Sequence, residues 1–338
     1  QWSISTSERN ALISIYNQTD GANWSQSWDL EKDPYYWYGV KTSNGMVTEL
    51  KLNGNLLKGN FPTSVFSLTN LKKLDLSSNK LYGEIPNLSS LSNLTYLNLS
   101  NNDFTGDVWS SYSNLPNLEE IYVGHNNCNI SNTDFSGFSG LKSLDISKLN
   151  LTEIPASLGS LQKLSSLNVS NNAIVSFSNL SSLNQLQELN LANNNLNKVP
   201  SEIINFISLK SLDLSNNIIT DFSSLSNLIN LEWLSLENNS LQNIPNQVSN
   251  LQKLIHLNLG RNKINGSTSI LGTLNHLQQL WLNHNKLSGN IPQDLLALPN
   301  LMCLSLQSNE LEGTIPNNIP QICNISNNRF SKTQIENY

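Results

Sequence analysis

The side chains that could perform acid–base chemistry are few in this sequence. Asp75, Asp145 and Asp213 share the fifth place of a recurring eleven-residue pattern. Catalysis by a pair of carboxylates needs the two groups close together, whereas these three lie about three copies of the pattern apart. We therefore interpret them as a solvated position and not as a catalytic pair.

Histidine offers no stronger case for catalysis or for metal binding. The four histidines are His125, His256, His276 and His284, and no HExxH, GxSxG, P-loop or GxGxxG motif is present. His256 and His284 could approach each other, but two histidines without a supporting pair of carboxylates make a poor metal site. We expect no catalytic residue, no metal and no cofactor.

Cysteine is sparse, with Cys128, Cys303 and Cys323 alone and no CxxC pair. Neither a zinc site nor a disulfide framework is therefore expected. Cys303 and Cys323 fall in adjacent coils near the end of the chain and could pair. Because buried free cysteine is the common case, free thiols are the expectation and the disulfide is the alternative left open.

Charge and composition exclude some classes of partner. The net charge is -6, 13% of residues are charged, and only Arg9, Arg261 and Arg329 are arginines. A nucleic-acid partner needs a basic surface, so none is expected. No stretch approaches the roughly 18 apolar residues of a membrane helix, so we expect no membrane span in this chain. Asn and Ser are far above ordinary usage, which requires a structural reason.

That reason is an internal repeat with the pattern LxxLxLxxNxL. It reads LKKLDLSSNKL from Leu71 and LQQLWLNHNKL from Leu277, and copies follow at 22 to 24 residues until a shorter last step. The alternating LxLx segment predicts a short strand with one buried face. Asparagine at the ninth place can bond turn backbone groups that are buried between coils. The ninth place is occupied by Asn55, Asn79, Asn102, Asn126, Asn172, Asn194, Asn217, Asn239, Asn262, Asn285, Asn309 and Asn328.

Two further columns complete the repeat. Leu149 interrupts the asparagine column and cannot make its hydrogen bonds, so we expect a local distortion between the fourth and sixth repeats. An apolar residue three places before each new repeat predicts a second core layer on the convex side. This column consists of Leu68, Leu91, Leu115, Phe138, Leu161, Leu183, Phe206, Leu228, Leu251, Leu274 and Leu298.

The chain resembles the leucine-rich-repeat proteins. LYGEIP and LSGNIP resemble the LxGxIP signature of plant-specific repeats, LTEIPASLGSLQK resembles the 23-residue class, and ITDFSSLSNLIN resembles the 22-residue class. TDGANW followed by WYGVKTSNG resembles the N-terminal cap of extracellular repeat proteins of plants and of Bacteroidetes-type bacteria, without the plant cap's cysteines. The resemblance implies an α/β solenoid, a right-handed superhelix with a parallel concave β-sheet, a mostly irregular or 3-10 convex side, and capped ends.

We expect three segments along the chain. Residues 1–46 form an N-terminal cap, residues 47–319 form twelve repeats, and residues 320–338 form a truncated repeat with the C-terminal cap. A capping box between Ser5 and Glu8 begins a short helix in the first segment. The residues expected to cover the first coil are Trp24, Trp28, Trp37 and Tyr38, and the alternative is that they form an aromatic platform for carbohydrate. The residues expected at core positions of the last segment are Cys323, Ile325 and Phe330.

The outward face of the strands carries the candidate binding residues. The third, fifth and seventh places of each repeat point to the concave side, with the eighth at its edge. Repeats five to eight present mostly Ser, Asn, Asp and Ala there, and two groups depart from this background. The tyrosine cluster consists of Tyr96, Glu120, Tyr122 and His125. The tryptophan cluster consists of Trp233, Glu237, His256, Arg261, Gln279, Trp281 and His284.

The two tryptophans are the main indication of a binding site. Trp, Tyr and Arg anchor binding hot spots, and we expect Trp233 and Trp281 to be exposed and about 10 Å apart. The alternative is that they only pack on their neighbours in the sheet.

Three functions follow from the resemblance and from these clusters. The first is a secreted or cell-surface scaffold that binds a protein ligand through its concave face. The second is a glycan-binding or adhesion module, because Trp and Tyr can stack on sugar rings. The third is an inhibitor of a secreted hydrolase. In each case we expect an extracellular or cell-surface location and no enzyme activity.

Overall fold

The chain divides into two compact units, Gln1–Asn172 and Ala173–Tyr338. The computed structural model describes residues 3–109, 114–177, 180–316, 322–331 and 334. The border that we predict between residues 319 and 320 lies outside the described residues, and the three predicted segment bounds stay predictions.

Helix α1, Thr6–Gln18, begins the first unit. Its N-cap is Ser5, whose side chain accepts a hydrogen bond from the N–H of Glu8 at 3.2 Å. The predicted capping box is only half formed, because Glu8 Oε1 accepts the N–H of Val47 at 3.3 Å. Leu12 and Ile15 are fully buried on the same helix. Glu8 thus joins the helix to the first strand of the repeats.

The first unit contains one main parallel sheet and one small one among its described residues. The strands are β1 Val40–Ser43, β2 Met46–Lys51, β3 Lys58–Asn60, β4 Lys73–Asp75, β5 Lys80–Glu84, β6 Tyr96–Asn98, β7 Asp103–Thr105, β8 Glu120–Tyr122, β9 Ser143–Asp145 and β10 Ser166–Asn168. The main sheet has the order β1-β2-β4-β6-β8-β9-β10. It begins with the antiparallel pair β1 and β2, and the strands that follow pair in parallel and in register. Strands β3, β5 and β7 form the small sheet.

The second unit repeats this arrangement in its described part. The strands are β11 Glu188–Asn190, β12 Ser211–Asp213, β13 Trp233–Ser235, β14 His256–Asn258, β15 Gln279–Trp281, β16 Ser288–Gly289, β17 Cys303–Ser305, β18 Glu310–Leu311 and β19 Ile322–Asn324. The main sheet is parallel with the order β11-β12-β13-β14-β15-β17-β19. Strand β16 pairs with β18 in a separate small sheet. Helix α2 is the short segment Gln293–Leu296.

The side opposite the main sheets is built from loops and short 3-10 helices, as predicted. The apolar column three places before each repeat is buried at every predicted position, with at most 3% exposure. Each unit is therefore a leucine-rich-repeat solenoid whose core lies between the strands and this column. The 3-10 helices are Gly21–Asn23, Pro34–Tyr36, Thr63–Ser67, Phe135–Gly137, Ala156–Ser160, Ser201–Asn205, Ser223–Asn227, Asn246–Asn250 and Ser269–Thr273.

The ninth-place asparagines form the predicted ladder of hydrogen bonds. Asn102 is typical: its Oδ1 accepts the N–H of Leu81 at 3.0 Å, and its Nδ2 donates to the carbonyls of Leu76 and Leu99 at 2.9 and 3.2 Å. Each such amide bonds its own turn and the turn of the preceding repeat. Buried backbone groups that lie too far apart to bond each other are satisfied in this way.

The distortion expected at Leu149 does not reach the sheet and is confined to the turn, where Asn150 has a φ of 57°. Strands β8, β9 and β10 pair in parallel without a register shift. Leu149 is 4% exposed, and its N–H and that of Leu151 both bond the side chain of Asn172 in the next repeat. The neighbouring amide therefore holds this turn, and Leu149 fills the space with apolar volume.

Three of the four aromatic residues expected to cover the first coil are buried, and Tyr38 is not. Trp24, Trp28 and Trp37 are 3–5% exposed, and the rings of Trp28 and Trp37 stack with centroids 4.8 Å apart. Tyr38 is 44% exposed. It follows Trp37 in extended backbone, so the two side chains point to opposite sides.

The C-terminal end differs from two expectations. Cys303 and Cys323 form a disulfide, whereas free thiols were expected. Cys323 is exposed rather than buried, because the register of β17 and β19 shifts and Ile322 takes the place beside Leu304. Ile325 and Phe330 occupy core positions as predicted, and Cys128 is a buried free cysteine.

Candidate functional site

The fifth place of the repeats has a structural role that the sequence interpretation missed. Asp or Asn at this place accepts a hydrogen bond from the backbone N–H two residues later, which closes the turn after the strand. In eight repeats this bond measures 2.9–3.1 Å. Asp75, Asp145 and Asp213 are among these acceptors, so they act in turn closure and our interpretation of a merely solvated position is wrong. The acceptors are Asp75, Asn98, Asp145, Asn168, Asn190, Asp213, Asn258 and Asn324.

Two described repeats carry an aromatic residue at this fifth place. They are Tyr122 on β8 and Trp281 on β15. Neither side chain can accept the turn hydrogen bond as a carboxylate or an amide does. The turn therefore gives up a bond of about 0.5–1.5 kcal/mol at these two strands. Each residue lies in one of the two predicted clusters.

The tyrosine cluster is a connected group on the main sheet of the first unit. The ring centroids of Tyr96 and Tyr122 lie 5.7 Å apart. The hydroxyl of Tyr122 donates to Glu120 Oε2 at 2.7 Å and lies 3.4 Å from the hydroxyl of Ser143. Asn98 Nδ2 donates to the hydroxyl of Tyr96 at 3.3 Å. The two phenols are thereby held side by side, half-buried, with their polar ends bonded along the sheet.

The phenols of this cluster stay protonated at neutral pH. Burial, reinforced by the carboxylate of Glu120, raises the pKa of Tyr122 to about 12. Burial likewise raises the pKa of Tyr96, with Asp75 and Glu120 adding to the effect. The cluster thus presents neutral hydroxyl groups next to carboxylates.

In the tryptophan cluster, His256 and Trp281 face each other on neighbouring strands of the second unit. Their ring centroids lie 6.4 Å apart and the planes are inclined by 27°. His256 Nδ1 lies 3.1 Å from Gln279 Oε1. In the register of the sheet, Trp233 is the partner of His256, and His256 is the partner of Gln279. Three neighbouring strands therefore present a row of two rings and an amide.

A charged pair borders this row. Arg261 Nε lies 3.2 Å from Glu237 Oε1, and Asn258 Nδ2 donates to Glu237 Oε2 at 3.1 Å. Both oxygens of Glu237 are thus engaged, and the guanidinium remains exposed. These contacts join His256, Gln279 and Trp281 in one group, and Glu237 and Arg261 in a second group.

The exposure of the tryptophans differs from the prediction. Trp233 and Trp281 are half-buried, not fully exposed, as are Tyr96 and Tyr122. Half-burial fits the alternative that they pack on their neighbours, but it also leaves part of each ring open to a ligand. Packing alone does not explain why two aromatic residues replace the turn acceptor.

The eighth place of the repeats lies at the edge of the sheet and has a positive φ. Most repeats carry Asn, Ser or Gly there, which adopt this conformation at low cost. His125, Lys148, Arg261 and His284 depart from that background, with φ between 49° and 57°. His125 and Lys148 occupy neighbouring coils beside the tyrosine cluster. Arg261 and His284 occupy neighbouring coils beside the tryptophan cluster. Lys148 was not included in the predicted tyrosine cluster. Its positive charge, at a place that most repeats fill with Asn, Ser or Gly, could have identified it from the sequence.

The candidate site has no described metal centre. Among residues 3–109, 114–177, 180–316, 322–331 and 334, no group of three or more His, Cys, Asp or Glu side chains could hold a metal ion. His276 belongs to neither cluster, and its Nδ1 atom lies 3.0 Å from the carbonyl oxygen of Gln252. Within the same described residues, no helix has the length and apolar character needed to cross a membrane.

Comparison with known proteins agrees with this repeat architecture. Leucine-rich-repeat family models match residues 139–196 and 184–241, residues 69–114 as two copies, and residues 276–298 and 300–322. A probable inactive receptor kinase of Arabidopsis thaliana is 36% identical over 81 residues, which are 23% of this chain and 12% of that protein. The chain therefore spans about an eighth of the length of this relative.

Two solved structures resemble nearly the whole chain. The ectodomain of the plant membrane receptor kinase GASSHO1/SCHENGEN3 from Arabidopsis thaliana, in complex with CASPARIAN STRIP INTEGRITY FACTOR 2, has a TM-score of 0.66 and 26% identity and covers 96% of this chain and 47% of that one. An internalin from Listeria monocytogenes has a TM-score of 0.64 and 29% identity and covers 86% of this chain and 92% of that one. On its repeats, its hydrogen-bonded asparagine ladder and these matches, the chain belongs to the leucine-rich-repeat proteins.

Proposed function

We propose that the chain is an extracellular or cell-surface recognition module. The tyrosine cluster of the first unit and the tryptophan cluster of the second unit each contribute a surface for a protein ligand. The observation that carries the proposal is the aromatic exchange at the fifth place. Tyr122 and Trp281 stand where eight other repeats use Asp or Asn to close a turn. The loss of the turn hydrogen bond in exchange for a partly exposed aromatic ring indicates that these two rings contact a ligand.

The chemistry of both clusters fits a polypeptide ligand. Half-buried aromatic rings lie beside hydrogen-bonding side chains and a charged pair that are already oriented by neighbours. Such preorganised rings lose little side-chain entropy on binding. The similarity to the receptor-kinase ectodomain described above also supports the proposal, because that ectodomain is in complex with CASPARIAN STRIP INTEGRITY FACTOR 2. The extracellular location rests on that similarity and on the disulfide between Cys303 and Cys323, which is typical of oxidising compartments.

Selection from a displayed peptide library tests this proposal. Wild-type protein serves as the bait, and Tyr122→Asn and Trp281→Asn serve for counter-selection. Asn190→Ser, on the bland part of the sheet, is the matched control. We expect enriched peptides to bind the wild type and the control but not at least one aromatic variant. Peptides that bind all four proteins equally would show that the clusters are not the recognition surface, and a glycan array on the same proteins would then test the adhesion alternative.

A further inference from the structure

A second candidate site lies in the N-terminal part of the first unit, away from both clusters. A recess of about 670 Å³ is lined there by Trp28, Trp37, Tyr36 and Tyr38. This volume is within the range of small-ligand sites, about 300–1,000 Å³. The tryptophans are 3–5% exposed, whereas Tyr36 is 74% and Tyr38 is 44% exposed. The recess thus combines buried indoles with open phenol rings.

The indoles form a rigid base for the recess. Trp28 and Trp37 stack with an interplanar angle of 16°. Trp28 Nε1 donates to the carbonyl of Tyr38 at 2.9 Å, and Trp37 Nε1 donates to the carbonyl of Asp29 at 2.9 Å. Both indole N–H groups are therefore used within the protein, and each bond fixes the backbone of another lining residue.

The backbone explains why the two tyrosines point outward. Pro34–Tyr36 is a 3-10 helix, and Trp37 after it is extended. Side chains alternate in extended backbone, so the buried Trp37 separates two residues that face the solvent. Tyr35 packs edge-to-face on Tyr36 with centroids 5.2 Å apart. The open ring of Tyr36 is thereby supported from one side.

Polar groups around the rings are also fixed in place. Asp33 Oδ2 accepts the N–H of Ser3 at 2.7 Å, and Asp33 Oδ1 accepts the N–H of Tyr35 at 2.8 Å. Asp29 pairs with Lys32 at 3.5 Å. The exposed side chain of Gln26 adds an amide to the lining. Carboxylates, an amide and an ammonium group therefore border the two open rings.

From this combination we propose that the recess binds a saccharide. A sugar ring offers an apolar C–H face for a phenol ring and hydroxyl groups around its edge for carboxylates and amides. A purely apolar ligand would make no hydrogen bond with the polar groups that border the rings. A folded protein partner would need a contact several times larger than this recess, because stable interfaces bury about 800 Å² per partner. The site is independent of the recognition surface proposed above.

Affinity electrophoresis and a glycan array test the saccharide site. The gels contain soluble β-glucan, xylan, mannan or galactan. The proteins are the wild type, Tyr36→Ala/Tyr38→Ala, Tyr36→Phe/Tyr38→Phe and the control Tyr82→Ala, an exposed tyrosine of β5 outside the recess. Because the substituted side chains are exposed, all variants should fold, and their thermal unfolding verifies this.

The expected result is retardation of the wild type by at least one polysaccharide or specific binding on the array. Removing both rings should weaken that binding about fivefold or more, because each ring contact contributes about 0.5–1.5 kcal/mol. The double Phe variant and Tyr82→Ala should keep it, since stacking uses the ring and not the hydroxyl. Absence of any saccharide binding by the wild type, or equal binding by the double Ala variant, would overturn the proposal.

Discussion

The carboxylate of Asp213 accepts the backbone N–H of Ser215 at 2.9 Å and its hydroxyl at 2.6 Å. This contact closes the turn after β12, and its counterparts recur along the described sheets. It provides a standard against which individual repeats can be compared. Only Tyr122 and Trp281 put an aromatic ring at this fifth place. The other fifth places without Asp or Asn are occupied by Lys51, Ser235 and Ser305. The two strands with an aromatic ring therefore differ from the others in a way that the fold does not require.

The first prediction concerns the cost of that departure. Trp281→Asn and Trp281→Ala lose the same ring contacts, but only asparagine can restore the turn bond. We expect the Asn variant to be more stable than the Ala variant by about 0.5–1.5 kcal/mol. Urea unfolding followed by circular dichroism measures the difference. Equal stability of the two variants would mean that the turn at this strand gains nothing from an acceptor.

A second prediction tests the asparagine ladder. Asn102→Leu leaves the N–H of Leu81 without its side-chain partner. The carbonyls of Leu76 and Leu99 each lose one bond but keep the amides of Asn79 and Asn126. One buried polar group without a partner costs about 1–3 kcal/mol, and with the lost carbonyl bonds we expect a total loss of about 2–4 kcal/mol. The exposed Asn197 provides the control, because Asn197→Leu should change stability by less than about 0.5 kcal/mol. Similar losses in both variants would argue against a specific role for the ladder.

The third prediction concerns pH and the N-terminal helix. Burial raises the pKa of Glu8, and the hydrogen bond from Val47 opposes this only in part. Its Oε2 is buried without a partner among the described residues. Because the pKa is higher in the folded than in the unfolded chain, protonation favours folding. The stabilisation is fully present below the unfolded pKa of about 4.3 and is lost as pH rises through the folded value.

Glu8→Gln should remove this pH dependence and raise stability at pH 7, since the amide keeps an acceptor for Val47 without a buried charge. Thermal unfolding of both proteins between pH 4 and pH 7 is the measurement. Glu31→Gln, at an exposed position of the same segment, is the control. If the wild type and Glu8→Gln respond identically to pH, the buried carboxylate has no effect on stability.

A fourth prediction concerns the C-terminal disulfide. Cys303 and Cys323 are 20 residues apart in sequence and join β17 to β19. A bond that closes a loop of this size contributes about 3 kcal/mol. Reduction, or Cys303→Ser/Cys323→Ser, should lower the hydrogen-exchange protection of β19 and leave β11 unchanged. Loss of protection throughout the second unit would instead mean that the disulfide stabilises more than its own coil.

The fold could be predicted from the sequence because its signals repeat. Leucine spacing and the asparagine column each occur many times, so strands, convex core and ladder follow from one pattern. Features that occur only once in the chain were harder to predict. The half-formed capping box at Glu8, the register shift at Ile322 and the pairing of Cys303 depend on tertiary contacts that have no local sequence signal. The same holds for Leu149, whose turn is held by Asn172 of the next repeat.

The candidate site was predictable in part. The aromatic residues were identified because they depart from a polar background, but their half-burial and their effect on the turn needed coordinates. The role of Asp75, Asp145 and Asp213 in turn closure was missed because it depends on a contact two residues along the backbone. Lys148 could have been identified by comparing the eighth places of all repeats.

The affinity of Trp281→Asn for a peptide selected on the wild type tests the central claim most directly. Isothermal titration calorimetry of both proteins with that peptide gives the comparison, with Asn190→Ser as the control. A hot-spot ring contributes at least about 2 kcal/mol, so we predict binding weakened about 30-fold or more in a variant that remains folded. Unchanged affinity in the folded Trp281→Asn protein would contradict the assignment of this ring to recognition.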